Sequence, residues 1–205
     1  MTIGAGVKYL ALGVATGLLG FSATTFAQTD NQNWQLAGVN ARLESTINSD
    51  SVKQGQTIAA KLDNTVTSNG VTLDKGTELQ GTVVDAAPSA HHGPASLTLL
   101  FTKAEMKDGK SIPVKVTLLA AYPSSQGEDA TYGETLMPPP PRHVDPQQKV
   151  DQEPGLLHHV ELKSSVQAEN SGTFSKENGN FRLNQGTYLQ VGIAPASGIN
   201  ATTGE

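Results

Sequence analysis

Five histidines are the residues whose type suits metal chemistry: the pairs His91-His92 and His158-His159, with His143. Imidazole is the commonest ligand that transition metals take. Adjacent residues on a strand point to opposite faces, so neither pair chelates from a strand. No His-x-x-x-His or His-Glu-x-x-His spacing and no cysteine accompanies them. The expectation is solvated loop histidines, with a site that draws ligands from both halves of the chain as the alternative.

Other chemistry is thinner still. Asp85, Ser89 and His91 lie close in sequence, as a nucleophilic triad would need, but no Gly-x-Ser-x-Gly elbow presents the serine. Glu78, Glu105 and Glu161 fall on expected strands, where paired carboxylates would have to face a cleft to act on a glycoside. They read more simply as outward, solvated residues. Pro138 to Pro141 followed by Arg142 has the form of a polyproline ligand, with a rigid spacer as the plainer reading. The Gly-Thr pairs lack the Gly-Lys-Ser/Thr ending of a phosphate loop and read as turns. The sequence therefore predicts no enzyme, no cofactor and no catalytic residue, with a metal-binding or hydrolytic protein using the loop histidines as the rival reading.

The best-marked residues are those of turns. Val71-Thr-Leu-Asp-Lys-Gly-Thr-Glu-Leu-Gln80 is nearly repeated as Phe181-Arg-Leu-Asn-Gln-Gly-Thr-Tyr-Leu-Gln190. Each copy has an apolar residue (Leu73, Leu183), a turn former (Asp74, Asn184), a Gly-Thr pair (Gly76-Thr77, Gly186-Thr187) and then alternation. Asp or Asn hydrogen-bonds its own backbone, glycine supplies a positive φ, and threonine opens a pleated run. A looser third copy runs from Val52 to Leu62 around Gly55. Asn69-Gly70 and Asp108-Gly109 are two further hairpin turns.

Composition bounds the class. Of the 205 residues, 37% are hydrophobic, 5% aromatic and only 16% charged, with 21 Gly and 11 Pro. That balance suits an all-β exported protein better than a helical cytosolic enzyme. Residues 1–27 read as a secretory signal peptide: Lys8, an apolar run from Tyr9, then small residues before Gln28. An uncleaved anchor is the alternative, and no membrane span is expected after cleavage. Lys8 is the only charge in that leader, which leaves 13 basic against 19 acidic residues beyond it. Nucleic acid is not expected as a partner, because polyphosphate needs clustered Lys and Arg, which this sequence does not show. With no cysteine, such a chain must be held by sheet pairing and core burial.

Along the mature chain, strands are expected over Gln35 to Ile47 (a helix being the alternative), Thr57 to Val66, Val71 to Leu73, Thr77 to Val84, Ala95 to Ala104 and Ser111 to Tyr122. Leu156 to Ser165 and Thr187 to Ile193 complete the set. Gly81 marks a bulge or a close backbone approach. Residues 123–155, rich in proline, read as a flexible loop with no packed element, Ala168 to Gly179 as polar and Gly-rich with the one Phe174, and 196–205 as a disordered tail. One domain over 28–195 follows, a small antiparallel β-barrel with a sandwich as the alternative. The last strand returns to the first half and removes the free edges.

The order of these motifs resembles the TrbI/VirB-type β-barrel domain of bacterial type IV secretion channels. The resemblance rests on Gly55-Gln-Thr-Ile58, Leu73-Asp-Lys-Gly-Thr-Glu-Leu-Gln-Gly81, Asp108-Gly-Lys-Ser-Ile-Pro-Val114 and the closing Gly186-Thr187 strand. It covers about residues 50–122 and 156–193, and is shared with uncharacterised exported bacterial proteins. It implies a periplasmic or envelope-associated barrel with a protein partner or self-association, through exposed edges or the 123–155 loop. No apolar helix of the kind that lines such a channel's pore is expected between the strands.

Overall fold

The computed structural model describes residues 35–91, 93–124, 141, 143–152, 157 and 159–195. The expected leader (1–27) and tail (196–205) lie outside the described residues. Thirteen strands are formed there, and no helix: β1 (Ala37–Leu43), β2 (Ile47–Asn48), β3 (Thr57–Leu62), β4 (Val66–Ser68), β5 (Val71–Leu73), β6 (Glu78–Ala87), β7 (Ala95–Glu105), β8 (Ser111–Tyr122), β9 (Lys149–Gln152), β10 (Glu161–Ser165), β11 (Gly172–Lys176), β12 (Arg182–Leu183) and β13 (Tyr188–Pro195).

Six of them close a barrel in the order β6-β3-β1-β13-β8-β7, with β7 pairing back to β6 and every neighbour antiparallel. The final strand does what its echo of the early hairpin implied: β13 inserts between β1 and β8. Closure works because the inward positions alternate in size, as the taper of a small barrel demands. Ala41 sits opposite Leu62 and Leu189, Ala60 opposite Leu43 and Leu79, Ala104 opposite Leu79, and Ala121 opposite Leu189. All are buried, so side chains occupy the barrel interior as a packed core.

One turn design recurs three times. Gly55, Gly76 and Gly186 have φ of 81°, 87° and 83°, a region open to glycine without a Cβ clash. Each glycine N–H donates to a carbonyl on the neighbouring strand, at Val83, Leu62 and Leu43, always at 2.8 Å. The N–H of that same neighbour donates back to the residue after the glycine: Gln56, Thr77 and Thr187. The turn thus clips the start of its own strand to the adjacent one and sets the register. At the β4–β5 hairpin, Asn69 (φ 49°) and Gly70 (φ 76°) both take the left-handed conformation that a type I′ turn requires.

The β7–β8 hairpin is shorter than its alternation implied. After Lys103–Glu105 pair with Ser111–Pro113 the strands part, and β11 pairs with Ala95–Leu99 instead. Ser171 fills the fork. Its N–H donates to the Leu99 carbonyl (2.8 Å), its carbonyl accepts from the Leu118 N–H (2.8 Å), and its Oγ accepts from the Phe101 N–H (3.0 Å). Beyond β11 the sheet continues through β10 to β9.

Several expectations are corrected. The first long strand breaks after Leu43 into β1 and β2, and the second after Leu62 into β3 and β4, where the chain leaves the barrel wall at each turn. Strand β11 lies inside the stretch read as polar and Gly-rich, where no strand is expected. The 123–155 segment holds a packed element: β9 pairs with β10, and Val144, 2% exposed, joins Leu36, Leu119, Val166 and Ala194 in a second cluster on the barrel's outside. Two glycines paired across β1 and β13, Gly38 and Gly192, make room there, and a Cβ on Gly38 would lie 1.9 Å from the Pro141 carbonyl. Gly81 sits at a register shift between β6 and β7, as its position in the strand implied.

Candidate functional site

With its interior filled, the barrel presents chemistry on its outer face. Strand register builds a row there that no single element contains: Arg42 on β1 lies opposite Lys61 on β3, Lys61 opposite Glu78 on β6, and Glu78 opposite Glu105 on β7. Beside the basic half, an open depression of about 410 Å³ is lined by Arg42, Glu44, Lys61, Leu62, Asp63, Lys75, Gly76 and Lys107.

Its walls are held by charge. Arg42 Nε meets Asp63 Oδ2 at 2.9 Å, and Lys61 Nζ meets Glu44 Oε1 at 3.0 Å. The Arg42 guanidinium lies 4.6 Å from the Tyr188 ring centroid, a cation–π contact that fixes its plane. The Asp63 hydrogen bond raises the guanidinium pKa above its ordinary value, against the opposing effect of burial. Lys75 and Lys107 come from two turns. The Lys75 N–H donates to Thr65 Oγ1 at 3.1 Å, and the Lys107 stem lies where a Cβ on Gly76 would stand, 2.8 Å from Cε. Gly76 therefore serves both the turn and the approach of Lys107.

Four cations against two carboxylates make this region positive on a chain whose formal net charge is −5. Among the described residues neither Lys75 nor Lys107 has an acidic partner within ion-pair distance. The arrangement is suited to recognising an anionic group by charge, with Arg42 pre-oriented for a carboxylate.

Sequence reasoning missed these residues, yet one signal was present. The three copies of the turn carry Gln54, Lys75 and Gln185 just before the glycine, so the copy at the depression alone supplies a cation. Lys107 lies within the other lysine-bearing turn, Met106 to Gly109, whose Asp108 Oδ1 accepts from the Lys110 N–H at 3.0 Å while Gly109 takes φ 82°.

The residues first singled out are placed as follows. His91 (φ 50°) and His159 (φ 65°) occupy exposed turns, and His143 is exposed; His92 and His158 lie outside the described residues. Among the described residues no group of three His, Cys, Asp or Glu converges as a metal site. Ser89 Oγ donates to the Gly93 carbonyl at 2.6 Å, a turn contact, while Asp85 is exposed on β6. Glu78 and Glu105 do meet, on the outer face. The Gln80 amide donates to both, at 3.4 Å to Glu78 Oε1, which relieves the repulsion of like charges directly opposed. Glu161 stands apart on β10, paired with Lys163. Pro138 to Pro140 and Arg142 lie outside the described residues. Lys115, on β8, donates to the Ala168 carbonyl, and burial pushes its pKa below the ordinary lysine value.

Fold and surface together define a filled six-stranded antiparallel barrel with a three-strand extension and a charged outer depression. Among the described residues no helix is long and apolar enough to cross a membrane. No family model matches the chain and no curated protein matches it. Among solved structures, ComB10 of the Com type IV secretion system of Helicobacter pylori is similar at 10% identity, covering 79% of this chain and 86% of that chain, with a TM-score of 0.33.

Proposed function

We propose that the protein is an exported, non-enzymatic barrel module of the bacterial envelope that binds an acidic segment of a protein partner at the Lys75–Lys107 depression. The observation that carries this reading is the gathering of Arg42, Lys61, Lys75 and Lys107 at one open depression of an acidic chain. Opposite charge across an interface steers encounter and fixes register, and a rigid barrel holds its turns in place for that purpose. A second reading, a component related to type IV secretion channels, is favoured by the order of its motifs: Gly55, Gly76 and Gly186 form the same strand-clipping turn around one closed barrel.

The test is affinity recovery from envelope extracts with the tagged protein and with Lys75→Glu/Lys107→Glu. The wild type is expected to retain a discrete partner at low salt and lose it as added salt shortens the Debye length toward about 3 Å. The double variant is expected to retain at least tenfold less, with stability within about 0.5 kcal/mol of wild type because both positions are on the surface. Equal recovery by both proteins would show that the depression does not bind the partner. For the second reading, recovery of a large ring-forming assembly supports it, and a protein that comes out of the envelope alone contradicts it.

A further inference from the structure

The main sheet closes on itself at β6–β7, but among the described residues its extension does not close. Strand β9 is the terminal strand, paired to β10 on one side only among the described residues. An unpaired strand edge is a template for another strand, and proteins that leave one exposed either guard it or use it.

The sequence of this edge is self-complementary. Lys149, Val150 and Asp151 run basic, apolar, acidic, so an antiparallel second copy centred on Val150 places Lys149 opposite Asp151 of its mate and Asp151 opposite Lys149, with Val150 against Val150. Lys149 and Asp151 are exposed and share one face, while Val150 is half-buried on the other, against both clusters. In the molecule itself, Asp151 already lies opposite Lys163, and Lys149 opposite Ser165. Pairing would then extend a row of alternating sign across the junction, from Lys163 through Asp151 to the second copy's lysine. Any other register sets like charges or mismatched residues opposite one another, at a cost.

We propose that β9 is a homodimerisation edge, with two copies joined about a two-fold axis through Val150 into one continuous sheet. The contact is isologous and closes at two. It is also short, with three residue pairs at its centre, so the dimer forms at high local concentration, as in an envelope assembly. This surface is separate from the Lys75–Lys107 depression and stands or falls independently of it.

Sedimentation equilibrium of the purified full chain, up to about 1 mM, a local concentration that assembly readily produces, reads the proposal. A monomer–dimer equilibrium is expected for the wild type. Lys149→Asp, which sets acid against acid, is expected to weaken it at least tenfold, and Lys149→Asp/Asp151→Lys, which restores opposite signs, to recover it. Because the chain has no cysteine, register can be read directly. A mixture of Lys149→Cys and Asp151→Cys proteins should form a disulfide heterodimer on mild oxidation, well ahead of either variant alone. A wild type that stays monomeric throughout, a Lys149→Asp variant that dimerises as well as wild type, or a charge swap without recovery would each overturn the proposal.

Discussion

Replacing Gly81 by valine is expected to cost about 4 kcal/mol or more. The reason lies in the β6–β7 seam. Gly81 pairs with Phe101, and a Cβ there would lie 2.3 Å from the Leu100 carbonyl oxygen and 2.8 Å from the Phe101 Cα. Both obstacles are backbone atoms of the paired strand, so no side chain can turn aside. The strands must separate at the pair that closes the barrel, and a domain with about 5–15 kcal/mol in hand cannot absorb much of that. Gly55→Ala is the control. Its φ is 81° but nothing lies within 4 Å of the added carbon, so it bears only left-handed strain, about 1–2 kcal/mol. Urea unfolding of the two variants separates close approach from conformational strain, and comparable losses would show that the seam is not tight at Gly81.

Truncating Phe174 to alanine is expected to cost about 3–5 kcal/mol, the range for a fully buried aromatic. Phe174 is 0% exposed, and its strand position lies between Leu97 on β7 and Leu162 on β10. With Leu162, it is thus one of the apolar residues by which the extension joins the barrel core. A loss of that size, with one cooperative unfolding transition, is what a single core predicts. If the extension were a loosely attached flap, the loss would fall below about 1 kcal/mol or a separate early transition would appear in the melt.

These two positions also mark what was legible in the sequence. Gly81 interrupts a clean alternation, and a glycine inside a strand signals a bulge or a close approach. Phe174 stands in Gly-Thr-Phe-Ser-Lys, with a single large apolar residue and no period to detect. Its strand character comes from Leu97 and Leu162 on either side, which no local pattern contains. The same holds for β9, where Val150 is the one apolar residue and pairing to β10 makes the strand. The barrel walls were readable because Ile58, Ala60 and Leu62, or Val114, Val116 and Leu118, keep step over one buried face. Closure was readable because a turn signature near residue 76 recurs near residue 186.

The candidate site was less legible for a geometric reason. Arg42, Lys61, Lys75 and Lys107 meet only once β1 is registered on β3 and the Gly76 turn is folded against the β7–β8 turn. None of these spacings repeats along the chain. The histidine pairs drew notice because they are adjacent in sequence, whereas convergence in space is what a site requires.

Binding of a partner at the Lys75–Lys107 depression can be read by photo-crosslinking in intact cells. A photoreactive residue is placed at Lys107 and, in a second strain, at Glu177. Both positions are exposed, and they follow strands that end at opposite ends of β7. A discrete adduct from position 107 and none from position 177 is expected. No adduct at 107, or the same adduct from both positions, would contradict binding at the depression.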